Sequence, residues 1–289
     1  MFSLLSKIEN IFTPKVRLMN KTEGIITLAD NNYFQGLLIL YHSVQESYPV
    51  PIICYDIGLK IEQITWCEKN LSNLSILPIP DHETINKIKI YKEKTKLQKK
   101  GKRQWPLWIC PFLIQHSPFE KTLWLDCDLI ILRSLDLLFK KLDTGPVFTP
   151  ENLAPQVTAN KPELYKLLPI NKNYQTENAL INAGVSGWHK KRDMLALNDY
   201  SSVVRMAFEK EEIKNAISWH DQGALIWAIL NNNLENRVEN SWKWNLCVKH
   251  TAVKNLKFTW NFETLKEIQE KVPEANILHW NGQSVPWNK

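Results

Sequence analysis

The 289-residue chain has only nine glycines, so its turns must rest largely on Asn, Asp and Pro. Its five cysteines (Cys54, Cys67, Cys110, Cys127 and Cys247) are scattered and include no C-x-x-C pair. That pattern argues against a disulfide framework and a zinc–thiolate site, and it suggests a reducing compartment. The chain contains no apolar run of the roughly 18 residues that a membrane-spanning helix requires. No small-residue cleavage site follows the N-terminal apolar residues, and Lys7, Glu9 and Asn10 interrupt them, unlike a secretory leader. There is no internal repeat, and no stretch rich enough in Gly, Ser or Pro to act as a linker. Acid is scarce in one place: nine basic residues lie between Lys87 and Arg103, against Glu93 alone.

The rest of the composition is that of a globular protein, 44% apolar and 23% charged. The length accommodates a full core, and we read residues 21–289 as a single domain preceded by an N-terminal segment, residues 1–20. In that segment Phe2, Leu4, Leu5, Ile8, Ile11 and Phe12 are spaced as on an amphipathic helix ending before Pro14, which suits either packing on the domain or lying on a membrane surface. The Lys87–Arg103 stretch carries a local charge of +8 within a chain of net +6, so the remainder is −2. It reads as a solvated helix face or as a contact for an anionic ligand or anionic lipid. Nucleic acid is not expected, because no interleaved aromatics or binding motif accompany the charge. Together these features predict a cytoplasmic protein, with peripheral contact at the inner face of an anionic membrane as the further expectation. The twelve tryptophans suit both a core and a sugar-binding surface.

The N-terminal half alternates strand and helix patterns. Strands are expected at 24–30, 50–55 and 74–77, and helices at 34–44, 61–70 and 105–116. Such alternation predicts an α/β fold with a mostly parallel central sheet flanked by helices. Ligands in these sheets bind beyond the carboxyl ends of the strands, where Asp30 and Asp126–Asp128 both fall, so one cleft can contain all three. Beyond Leu135 the order is looser: 153–174 reads as an irregular loop, 179–188 as a strand with a turn, 193–208 and 223–230 as helices, and 277–287 as a strand followed by a loop.

The segment Lys121-Thr-Leu-Trp-Leu-Asp126-Cys127-Asp128-Leu-Ile-Ile-Leu132 carries the clearest chemistry. On a strand, Asp126 and Asp128 share one face and Cys127 takes the other. Two carboxylates in apolar surroundings repel and lose hydration unless a cation joins them. Their oxygens suit a hard divalent ion, Mg2+ or Mn2+, of the kind that bridges to phosphates. The plainer alternative is a strand that ends at Asp126 and turns.

Four further strings accompany this pair: TLADNNY (27–33), NAGVSGW (182–188), HDQGA (220–224) and HWNGQSVPW (279–287). In this order the chain resembles glycosyltransferase family 8, over residues 24–287. The resemblance implies a GT-A, Rossmann-like fold, Mn2+ (or Mg2+) and a nucleotide-sugar donor, a UDP-sugar being the expectation, with sugar transfer that retains the anomeric configuration. It implies a glycan or lipid-linked acceptor, as in bacterial lipopolysaccharide or capsule synthesis. By position, Ala29, Asp30, Asn32 and Tyr33 hold base and ribose, and Asp126, Asp128 and His279 bind the metal. Asn182, Ala183 and Gly184 line the donor sugar, Gly282 belongs to the C-terminal donor-binding string, and Asp221 and Gln222 lie near the reacting carbon. The imidazole favours Mn2+ over Mg2+. For Asp221 a helix N-cap is the competing reading, and for His279 a satisfied core histidine.

Two phosphate-binding cations of the family pattern are missing: Val285 stands where a lysine is expected, and Cys110 where the helix before the metal strand carries a basic residue. Lys102, Arg103 and Lys289 are candidates to compensate. These departures leave a second reading, a degenerate GT-A protein that binds donor or glycan without turnover. A dehalogenase-type phosphatase also places paired aspartates after an apolar strand, but Ile130 and the lack of a following glycine disfavour it.

Overall fold

The structure, a computed structural model, describes residues 22–95, 105–151, 159–170, 179–248 and 262–281. The expectations for the N-terminal segment, for Lys96–Arg103 and for Gly282, Val285 and Lys289 lie outside these residues.

The central sheet is built from β1 (Glu23–Ala29), β2 (Ile52–Asp56), β3 (Leu74–Pro78), β4 (Lys121–Leu125), β6 (Val147–Pro150) and β7 (Ile181–His189). Their order is β3-β2-β1-β4-β7-β6. The first four are mutually parallel, and β7 runs antiparallel to both β4 and β6. A second sheet joins β5 (Leu129–Ile131), β9 (Ile277–His279) and β8 (Leu246–Cys247) in the order β5-β9-β8. This is the mixed α/β architecture with a largely parallel core that the sequence pattern predicts.

The strands are apolar on both faces because helices cover both faces. Alternate residues enter different cores. Ile26, Ile53, Tyr55 and Trp124 join one cluster, which packs against α4 (Cys110–Gln115), α7 (Met194–Glu209) and α9 (Asp221–Asn231). Their neighbours Ile25, Ile52, Cys54, Leu123 and Leu125 join another, under α1 (Phe34–Ser47), α2 (Ile61–Asn70) and α5 (Asp136–Lys141). A third cluster, around Ile130, Leu246, Ile268 and Leu278, fixes the small sheet to α10 (Phe262–Lys271).

The strands and helices expected between 24 and 77 are present, with α2 spanning Ile61–Asn70. The remaining elements are α3 (Glu83–Thr95), α6 (Pro162–Leu167) and α8 (Glu211–Ala216). Four expectations are corrected. The 105–116 helix divides into a 3-10 turn, Trp105–Ile109, and α4, because Pro111 has no N–H to continue the ladder. Within the expected loop 153–174, Pro162 starts α6, where its fixed φ suits a first helical turn, and Leu164 anchors that turn in the core. The stretch 179–188 contains no turn. Gly187 serves close packing, since a Cβ there would lie 2.9 Å from Leu142 Cδ2 and 3.0 Å from Leu123 Cδ2. Finally, Asp126 and Asp128 are not on a strand: β4 ends at Leu125 and the pair occupies the turn into β5.

Candidate active site

That turn carries the chain from the large sheet to the small one and places the two aspartates at the seam. Cys127 between them points into the core, as expected. Asp126 stays registered on β7, its N–H donating to the Gly184 carbonyl at 2.9 Å. Asp128 is 6% exposed, and its carbonyl accepts from Trp280 N–H at 3.0 Å. β9 pairs with β5, with Leu129 opposite His279, which delivers the distant histidine beside the aspartates.

One ligand atom each from Asp126, Asp128 and His279 lies within 4.8 Å of the others. His279 Nε2 is 3.2 Å from Asp128 Oδ1 and 3.8 Å from Asp126 Oδ2. The imidazole is 1% exposed; its Nδ1 lies 2.8 Å from Asn245 Oδ1, and its Nε2 makes no well-aligned hydrogen bond and faces the two carboxylates. Two carboxylates and one imidazole, with a buried nitrogen lacking a partner between them, form a donor set that fits a divalent cation.

The electrostatics agree. Burial and then the charge of Asp128 raise the pKa of Asp126, while His279 and a 3.0 Å hydrogen bond from Trp124 Nε1 oppose the rise. For His279, burial works against the imidazolium, but Asp128 and Asp126 outweigh it and raise its pKa. A bound cation would take over the proton's role of offsetting the paired acids.

β7 forms the floor of this site. Its pairing with β6 shifts between Phe148 and Thr149, as is common beside functional sites. Gly184 is required here: a Cβ would lie 2.6 Å from His279 Cε1, 2.8 Å from Asp126 Oδ2 and 3.0 Å from Asn182 Oδ1. Gly184→Ala is therefore expected to lower stability by about 1–3 kcal/mol through overpacking and, if the three groups hold a divalent cation, to weaken its binding at least tenfold. Manganese titration with thermal unfolding checks this; wild-type affinity would mean the site has room to yield.

Asp30 lies at the end of β1. Ile26 faces Trp124 in the β1–β4 ladder; β1 then ends at Ala29, just before Asp30, and β4 at Leu125, just before the paired aspartates. The Asp30 carboxylate accepts from the N–H groups of Asn32 (2.8 Å) and Tyr33 (3.0 Å), shaping the loop into α1. Ala29 is fully buried, so its side chain belongs to the core, whereas Asn32 is exposed and Asp30 and Tyr33 are half-buried.

Asp221 and Gln222 open α9. The helix's N-cap residue is His220, not Asp221. Asp221 instead accepts a 2.8 Å hydrogen bond from the buried Tyr200 hydroxyl. Burial above all, with the charge of Asp126, raises its pKa to about 8, against the donors Tyr200 and the Asp221 and Gln222 backbone. Gln222 Oε1 accepts from Ala183 N–H at 3.2 Å, tying α9 to β7. The residues before it, Trp219 (φ 51°) and His220 (φ 63°), hold left-handed conformations, which cost non-glycine residues on the order of 1–3 kcal/mol each. Asn160 braces that loop, accepting from Ser218 N–H (3.1 Å) and donating to the Gly223 carbonyl (2.7 Å).

Cys110, the position expected to carry a cation, is buried against Tyr200 and lies close to Asp221. Tyr200, Trp124, Thr149, Glu151 and Asn245 also surround the site and were not expected from the sequence. Asn245 alone left a signal, as a polar residue between the apolar Trp244 and Leu246.

The six-stranded sheet and its helices define the GT-A glycosyltransferase fold. Galactosyltransferase LgtC, solved in complex with donor and acceptor sugar analogs, matches with a TM-score of 0.58 over 92% of this chain and 90% of its own, at 17% identity. The apo structure of the bifunctional glycosyltransferase WbbM matches with a TM-score of 0.57 over 96% of this chain and 48% of its own, at 14% identity. No protein-family model matches the chain, and no curated protein matches it in sequence. At these identities the fold is what is shared. Among the described residues, no helix is long and apolar enough to cross a membrane.

Proposed function

We propose that the chain is a metal-dependent retaining glycosyltransferase that moves a sugar from a nucleotide sugar, most simply a UDP-sugar, to a glycan or lipid-linked acceptor. The observation that carries this reading is the convergence of Asp126, Asp128 and His279 at the carboxyl end of β4, within a GT-A fold. These three side chains would hold Mn2+, or Mg2+ in its place. When bound, the ion opposes the negative charge that develops on the departing diphosphate.

The remaining roles belong to the chain. Asp30, Asn32 and Tyr33 would receive base and ribose at the end of β1, with Ala29 beneath them. Asn182, Ala183 and Gly184 would let the sugar approach the backbone of β7, and Gly282 would complete the donor site. Gln222 would orient sugar hydroxyls. Asp221, ionised, would stabilise positive charge at the anomeric carbon, as carboxylates do in glycosidases. Family resemblance suggests lipopolysaccharide or capsule as the acceptor's destination, and the Lys87–Arg103 stretch suits contact with an anionic membrane near it.

A screen of nucleotide sugars for Mn2+-dependent release of nucleoside diphosphate tests the reading. One donor is expected to turn over with Mn2+ and to stop with EDTA; no release from any donor would overturn it. The burial of Cys110 where a cation is expected favours a second reading, a GT-A protein that binds donor without turnover. Calorimetric binding of a nucleotide sugar with no diphosphate release over hours would select it.

A further inference from the structure

We propose that Asn245 is a positioning residue that sets the tautomer of His279, aims its Nε2 lone pair at the aspartates, and links this metal ligand to Asn182 of the donor face. The inference rests on the reading of Asp126, Asp128 and His279 as metal ligands.

Asn245 is 2% exposed and lies between a 3-10 turn, Trp242–Trp244, and β8. Among the groups its side chain meets are Thr149 Oγ1, Asn182 Oδ1 and His279 Nδ1, and Oδ1 or Nδ2 could in principle face any of them, since amide oxygen and nitrogen are similar in shape. The neighbours remove that freedom, starting from two backbone groups of β7 that cannot exchange roles. Gly184 N–H must donate, and it does so to Asn182 Oδ1 at 3.0 Å, which fixes that atom as oxygen. Asn182 Nδ2 then faces Glu151 Oε2 at 3.3 Å, as an amide nitrogen should. The Val185 carbonyl must accept, and it takes the Thr149 hydroxyl proton at 3.1 Å.

Both polarities pass to Asn245. Asn182 Oδ1 and the remaining lone pair of Thr149 Oγ1 each need a donor, and Asn245 Nδ2 lies 3.0 Å from the first and 2.9 Å from the second. Its Oδ1 is therefore the atom 2.8 Å from His279 Nδ1, and that ring nitrogen must carry a proton. In the neutral imidazole the lone pair is then on Nε2, the buried atom that faces Asp128 and Asp126 and has no hydrogen-bond partner. Without Asn245 the opposite tautomer gains an outlet: an Nε2–H could donate to Asp128 Oδ1 at 3.2 Å and occupy the lone-pair position. Metal-binding histidines generally owe their orientation to such a partner, and losing it costs about 10–100-fold in metal affinity.

The test uses the whole chain without donor or acceptor. Nitrogen-15 NMR of the metal-free protein, at a pH where His279 is neutral, should show His279 protonated on Nδ1. In Asn245→Ala the proton should move toward Nε2, and Mn2+ affinity, read by the loss of the free-ion EPR signal, should fall about 10–100-fold. Asn245→Asp keeps an acceptor for Nδ1–H and is expected to retain the wild-type tautomer. If the alanine variant does not fold, the aspartate variant and the wild-type spectrum still decide. An Nε2-protonated His279 in the wild type, or unchanged tautomer and affinity in a folded alanine variant, would overturn the proposal. If Mn2+ binds no differently when Asp126 and Asp128 are replaced, the metal reading fails, while the NMR result still judges the role of Asn245.

Discussion

Asp128→Asn is expected to eliminate Mn2+-dependent transfer, lowering the rate at least about 100-fold, while leaving the metal-free fold as stable as the wild type or more so. Rate and stability separate because of where Asp128 sits. Its side chain is buried beside a second carboxylate, and His279 Nε2 lies 3.2 Å from its Oδ1. An amide of the same shape keeps the packing, relieves repulsion with Asp126, and leaves untouched the carbonyl that accepts from Trp280. What disappears is one anionic oxygen of the three-atom donor set.

The measurement has two parts. In the wild type, Mn2+ at about 100 times its dissociation constant should add about 2.7 kcal/mol to unfolding stability, seen as a rise in Tm. In the variant that rise should vanish together with turnover. A variant that keeps both would sink the assignment of Asp128 to the metal. One that loses turnover but keeps the Mn2+-induced rise would move the metal elsewhere and leave Asp128 another role in the reaction.

The legible part of the site was the part that is chemically out of place. Paired acids in the run from Leu123 to Leu132 have no reason to exist in a core, so Asp126 and Asp128 stood out; the strand alternation does not hold for them, and the plainer reading of a strand that ends and turns does. The alternation of side chains anticipated that both would face one partner; the turn achieves the same convergence by another route. His279 came only from the ordered strings, since a histidine in Ile277–Trp280 carries no signal of its own. Thr149 and Tyr200 could not be read at all, and Asn245 only as a polar residue between apolar neighbours. Each is an ordinary residue whose role arises from a partner far along the chain: Asn245 meets His279 across 34 residues and Thr149 across 96.

The fold divides along similar lines. From β1 to β4, propensity, apolar runs and the parallel crossover rules point the same way, and most of the elements there were anticipated. Beyond β4 the strands pair antiparallel, except β8 with β9, and several are short. β5, β8 and β9 are only two or three residues long, and they exist because the small sheet gives them partners. The turn expected within 179–188 is absent from β7, because a sequence shows glycine's freedom and not what lies against it. At Gly184 the neighbours are His279 and Asp126, and close approach explains the residue.

Asp221→Asn is expected to raise stability at alkaline pH while removing activity, with both effects reporting one proton. A carboxyl whose pKa is about 8 in the folded state and about 4 in the unfolded chain holds its proton in the native state where the unfolded chain has lost it. Across that window the native state binds more protons than the unfolded one, so stability falls as pH rises from about 4 to about 8. The integrated contribution is on the order of a few kcal/mol. The amide has no proton to lose, so thermal unfolding of the variant should lack this slope, and its Tm should exceed that of the wild type above pH 8. Activity should run the other way in the wild type. If the ionised carboxylate is what stabilises positive charge at the anomeric carbon, kcat/KM rises through about pH 8 as stability declines. In the variant that limb should disappear and the rate should fall at least about 100-fold. Functional carboxylates held at a cost to the fold behave in this way. A variant that is less stable at every pH would show that the Tyr200 hydrogen bond, not the charge, governs this position. A variant that keeps the alkaline limb would assign that titration to another group and leave Asp221 without a role in the chemistry.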